Sequence, residues 1–184
     1  MYNKDGEYED GKMPRLLIPL TPGTSFKMSA GCGNRNERAL MFCILSQMDE
    51  FRDDEQFLYQ FFKYYGWLNE EGWKWLCDYY GERVNKCGKA YLIDVLEKLK
   101  SNTVFSNVSD RIHLYIRENR DDWNARTEII GNLRIAFAQI SIEQLDPDLV
   151  IMDEFQRFST LIDIKDEDKS DQAMLIRSFF KGSD

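Results

Sequence analysis

The chain has one histidine and no C-x-x-C pair among its four cysteines, Cys32, Cys43, Cys77 and Cys87. Zinc sites announce themselves by close pairs of Cys or His, so this spacing speaks against a structural zinc module. Scattered thiols of this kind read as small buried residues of a reducing compartment. No apolar run approaches the ~18 residues of a membrane span. Residues 1–12 are polar and acidic, without the pattern of a signal peptide. Together these features predict a cytoplasmic protein without membrane contact. A positive charge balance is missing too: 24 Lys and Arg face 32 Asp and Glu, for a net charge of −8. That argues against a broad electrostatic footprint for nucleic acid, which needs clustered cations. It leaves room for a local basic patch, or for binding through a larger parent protein. A phosphate-binding loop is absent as well, since no G-x-x-x-x-G-K-[ST] occurs. The nearest glycine cluster, Gly31-Cys32-Gly33-Asn34-Arg35, lacks the Lys and the hydroxyl and reads as a loop.

What is present suits one ordinary domain: 184 residues, 43% hydrophobic and 30% charged. Residues 1–13 read as a flexible leader, and Arg15 to Leu20 as a short strand interrupted by Pro19. Asn34 or Asn36 is placed to cap a helix running through Glu37 to Leu45. Nearly half of the aromatic residues fall within 51–80, at helical spacing, with Gly66 and Gly72 expected to break the segment into short helices. Core packing is the favoured reading of these aromatics. Stacking on exposed bases is the alternative, but the acids interleaved with them oppose it. Tyr91 to Leu99 is an amphipathic helix ending near Ser101-Asn102, and Arg111 to Glu118 is a candidate for another. Ile129, Ile130, Leu133, Phe137 and Ile140 mark one face of a longer helix from about Asn124 to Ile140. Ser141 and Gln144 form a possible capping box for one further turn. Arg111, Arg117, Arg120, Arg126 and Arg134 make the most basic region, read as a solvated face with paired charges. His113 reads as structural.

The densest chemical signal lies at residues 147–158, Pro-Asp-Leu-Val-Ile-Met-Asp-Glu-Phe-Gln-Arg-Phe. A short apolar run bounded by a Pro-Asp turn reads as a strand buried on both faces, here 148–152. Such strands belong mostly to parallel sheets, whose ligands sit at the carboxyl ends, and Asp153 and Glu154 lie at that end. The plainer reading is a solvated strand end. The unbroken apolar run before the acids, and Gln156-Arg157-Phe158 after them, favour the acidic motif of a nucleoside triphosphatase.

These residues resemble a group of bacterial superfamily 2 helicases. The similarity is carried by Leu20-Thr21-Pro22-Gly23-Thr24-Ser25-Phe26, by Glu37-Arg38-Ala39-Leu40, and most firmly by Asp148 to Phe158 with its D-E-F-Q-R-F box. It implies ATP-driven unwinding or remodelling of nucleic acid by two motor domains. By resemblance, Asp153 coordinates Mg²⁺ through water, Glu154 positions or deprotonates the attacking water, and Gln156 couples nucleotide state to other motifs. It further implies a division into a leader (1–13), a strand and turn of the motor domain (14–30), a helical insertion (31–125), and a helix, acidic-box strand and following segment (126–184). The expected fold class is α/β but predominantly helical: a partial RecA-like motor domain with few parallel strands and a large helical insertion. Without a phosphate loop, an S-A-T motif or the second motor domain, no turnover of ATP is expected from these residues alone. Partners would be nucleic acid and the remainder of the motor, with self-association possible at exposed strand edges. Two other classes compete: a small acidic helical interaction module using the aromatic segment, and a single-stranded nucleic acid binder.

Overall fold

A computed structural model describes residues 31–63, 69–118 and 122–145. Chain order is α1 (Arg35–Leu45), a 3-10 turn (Asp49–Phe51), α2 (Glu55–Lys63), α3 (Glu70–Lys86), α4 (Lys89–Ser101), α5 (Thr103–Arg117) and α6 (Trp123–Leu145).

Side-chain caps start four of these helices. Asn34 accepts from the amides of Asn36 and Glu37, while Glu37 reaches back to the Asn34 amide, so α1 opens on a complete capping box. Asn69 caps α3 by accepting from Gly72 N at 2.9 Å. Gly72 therefore does not break the aromatic segment as expected. It sits in the first turn of α3, where its amide is one of the donors that a cap must satisfy. Asn102 caps α5 through Phe105 N at 3.0 Å, and Asp122 accepts from the amides of Asn124 and Ala125 at the start of α6. Acids at the start of α3 (Glu70, Glu71) and cations at its end (Arg83, Lys86) complement the helix dipole. Between α3 and α4 the chain turns at Gly88, whose φ of 71° lies in the left-handed region that favours glycine.

The helices meet in a single apolar core. Leu58, Phe61 and Phe62 bury one stripe of α2, and Trp73, Leu76, Cys77 and Val84 bury one stripe of α3. Both pack on α1, which also reaches α6. On the other side, Phe105, Val108, Ile112 and Tyr115 of α5 meet Ile129, Ile130, Leu133 and Ala136 of α6, with α4 laid against both. α1 is consequently buried over a broad arc that includes Ala39, Met41, Phe42, Cys43 and Leu45. Its Arg38 is buried as well, donating from Nε to Phe62 O at 3.0 Å and from Nη1 to Gly33 O at 3.1 Å. The cation so answers a carbonyl in the last turn of α2, where the helix dipole is negative.

The described residues are all-α, with no strand among them. The expected α/β chain, a partial RecA-like domain with few parallel strands, is overturned by this architecture. Apolar residues between 31 and 145 recur at three and four positions, which buries helical stripes, and helix-on-helix packing closes the core without a sheet. The segments expected as strands, 15–20 and 148–152, lie outside the described residues. Two boundaries also differ. α5 begins at Thr103, well before Arg111, and α6 runs through Ser141 to Leu145 without a new cap. The Ser141 hydroxyl instead donates back to Phe137 O at 2.7 Å, a local bond that lets the helix continue.

Phe62 is fully buried, whereas Phe57, on the opposite side of α2, is 54% exposed. Phe62→Ala is expected to lower unfolding free energy by about 3–5 kcal/mol in urea titrations. Phe57→Ala should stay within about 0.5 kcal/mol of the parent.

Candidate functional site

Asp153, Glu154 and Gln156 lie outside the described residues. Among the described residues no group of three or more His, Cys, Asp or Glu side chains is placed to hold a metal ion. No described helix is long and apolar enough to cross a membrane.

The Gly31–Asn34 turn leads into the N-terminus of α1, the kind of place where backbone amides receive anions. Here that place is filled from within. The Glu37 carboxylate accepts from Asn34 N at 3.3 Å and from Arg134 Nε at 2.8 Å, while Arg134 also donates to Gly31 O at 3.2 Å. Gly33, at φ 62°, packs so closely that a Cβ would run into both Glu37 and Arg134. The turn thus ties α1 to α6, in keeping with its reading as a loop rather than a phosphate cradle.

The basic region divides. Arg111 pairs with Glu128 at 2.9 Å, and its guanidinium holds the Glu128 carboxyl below the ordinary range by hydrogen bond and charge. Arg126 departs from the expected solvated face. It is buried, donates from Nε to Tyr115 Oη at 3.1 Å, and lies 5.6 Å from the Phe61 ring centroid. Its guanidinium lies over the Phe61 and Tyr115 rings. His113 stacks on Phe51 at 4.8 Å with Nδ1 3.6 Å from Asp54 Oδ2, a structural placement.

An open groove of about 770 Å³ runs between α1, the start of α2 and α3. Phe42, Cys43, Tyr59 and Cys77 lie along it, together with Asp53, Glu55 and Asp78. Cys43 Sγ donates to Cys77 O at 3.2 Å. Burial first, then the Asp78 charge, pushes the Cys43 thiol up to about 11; burial, Cys43 and Asp78 push Cys77 up to about 12. Tyr59 is shifted upward by burial, Cys77 and Asp78. The thiols bordering this groove are therefore held as neutral donors and are poor nucleophiles.

Beside the groove, the aromatic segment splits into two populations. Phe51, Phe61, Phe62 and Trp73 are core residues, as favoured from the sequence, but Trp75 is 62% exposed. It stacks on Tyr79 with centroids 5.3 Å apart and planes at 23°. The sequence could have separated them: 73, 76 and 77 share a stripe that 75 and 79 do not. Comparison with known proteins finds no matching family model, no matching curated protein and no matching solved structure.

Well below pH 9 the two groove thiols are protonated in both folded and unfolded chains and do not affect the pH dependence of stability. From 9 upward the unfolded chain releases protons that the folded chain retains toward 11, so stability should fall with rising pH. A Cys43→Ala/Cys77→Ala variant should show a shallower fall in denaturant titrations between those pH values; an unchanged slope would contradict the assignment.

Proposed function

We propose that this chain is a segment of an ATP-dependent helicase-type motor, carrying the acidic box that serves Mg²⁺ and water but no phosphate-binding loop. The observation that carries this reading is the run Asp148 to Phe158, an apolar stretch followed at once by Asp153-Glu154 and then Gln156-Arg157-Phe158. In that role Asp153 holds Mg²⁺ through water, Glu154 orients the attacking water, and Gln156 senses the nucleotide. Positioning of the transferred phosphoryl group is most of the catalysis in such enzymes. A chain without amides and a Lys to hold the phosphates is accordingly inactive alone, and nucleic acid is engaged through the remainder of the motor. The helices from α1 to α6 precede the box and supply a packed body rather than a nucleotide pocket.

A second reading has its own observation: the chain is a helical docking module whose exposed Trp75–Tyr79 pair meets a partner protein. Trp73, fully buried, takes no part in such a surface, and Trp67 lies outside the described residues.

Reading the gene on either side of these residues tests the motor directly. A G-K-T or G-K-S loop upstream and an S-A-T motif downstream are expected in the same frame, and an open frame lacking both contradicts the proposal. In a protein that carries them, Glu154→Gln should lower ATP turnover by at least about 100-fold, measured as phosphate release, while nucleotide binding persists.

A further inference from the structure

Trp75 is held ready for a contact that the described residues do not make. Tyr79 stacks on it, and Arg83 in turn covers Tyr79, with its guanidinium carbon 3.4 Å from the ring centroid and Nη1 donating to Tyr79 O at 3.2 Å. Positions 75, 79 and 83 are four residues apart, so the stack climbs one side of α3. Trp75 itself remains 62% exposed. A large aromatic already fixed in place loses little freedom when a partner covers it, which is why such residues dominate docking surfaces.

The surrounding charge says which partner. Glu71 lies four residues before Trp75 and Asp78 three after it, so both flank the ring on the helix surface. Asp78 also borders the groove, along with Asp53 and Glu55. Among the described residues no cation comes within 4.0 Å of these carboxylates in an ion pair. The nearby cations offset them only in part: Arg52 is engaged by Asp49, Lys63 by Glu70 and Arg83 by the Tyr79 ring, which leaves Lys74 in the groove. An anionic partner would meet repulsion here. A cationic side chain would gain both the Trp75 ring face and a carboxylate.

We propose that the Trp75 side of α3, with the groove beyond Asp78, docks a Lys- or Arg-bearing segment of a partner protein. A cationic side chain lies over the Trp75 ring between Glu71 and Asp78, and the residues next to it follow the groove past Tyr59. The proposal deepens the docking reading by naming the partner's chemistry, and it stands apart from the motor reading.

The test is fluorescence anisotropy of a short labelled peptide of Arg, Leu and Gly titrated with the whole chain. A Glu-for-Arg peptide and an oligothymidylate serve as comparisons. The Arg peptide should bind, and the other two should not. Trp75→Ala and Asp78→Lys should each weaken binding by about tenfold, with thermal melting unchanged because both residues are exposed. Glu97→Lys, an exposed position on α4, should leave binding as it was. Absence of Arg-peptide binding, tighter binding of the oligothymidylate, or equal effects of Glu97→Lys and Asp78→Lys would overturn the proposal. Glu-peptide binding that Trp75→Ala removes would overturn the cationic partner yet keep the docking reading. Arg-peptide binding indifferent to Trp75→Ala would overturn both.

Discussion

The structure depends on α1 being surrounded. A helix this short is marginal by itself in water, and its stability comes from what covers it. α2 and α3 cover one side, and α6 meets its N-terminal end through the Glu37–Arg134 pair. Burying so broad an arc forces a charged residue, Arg38, into the interior. Its cost is offset because both carbonyls it reaches, at Phe62 and Gly33, are fixed acceptors at a helix end and a glycine turn. Three consequences follow from that arrangement. The C-terminus of α2 is pinned, the Gly31–Asn34 turn is closed against ligands, and α3 has only one face left for the core.

That last point links packing to the surface chemistry. α3 commits Trp73, Leu76, Cys77 and Val84 to the interior, so Trp75 and Tyr79 project elsewhere. Gly81, Cys43 and Cys77, all small, line the groove between α1 and α3, and a Cβ at Gly81 would come within 3.9 Å of Cys43 Sγ. Asp78 stands between the two features, lining the groove while flanking Trp75. Its charge adds to the burial that raises the pKa of the neighbouring thiols.

The helical body was legible where local chemistry and periodicity agree. Asn34 or Asn36 ahead of the run from Glu37 to Leu45 announced α1, with Asn34 the residue that caps it, and the Ile129, Ile130, Leu133, Phe137 and Ile140 spacing announced α6. Gly72 misled because a glycine near a helix start is harmless when Asn69 caps its amide. Ser141 misled because a hydroxyl inside a helix bonds backward as readily as it caps. The α/β expectation came from two short apolar runs at 15–20 and 148–152 together with the helicase resemblance, whereas the described core is decided by helical stripes between those runs. Arg126 was misplaced for a different reason. Spacing among charges says nothing of Phe61 and Tyr115, which arrive from other helices to receive it. The run Asp148 to Phe158 is read from sequence alone, since Asp153, Glu154 and Gln156 lie outside the described residues.

α1 organises one cooperative helical core, with α3 anchored to it and α4 the more loosely attached. α4 buries only Val95 and Leu99, while α1 and α3 bury most of their inward faces. Native-state hydrogen exchange tests this most directly. Amides of Met41 to Leu45 and of Trp73 to Cys77 should exchange only through global unfolding, with matching free energies, and those of α4 should open earlier. Amides in α1 that exchange more readily than those in α4 would contradict the account.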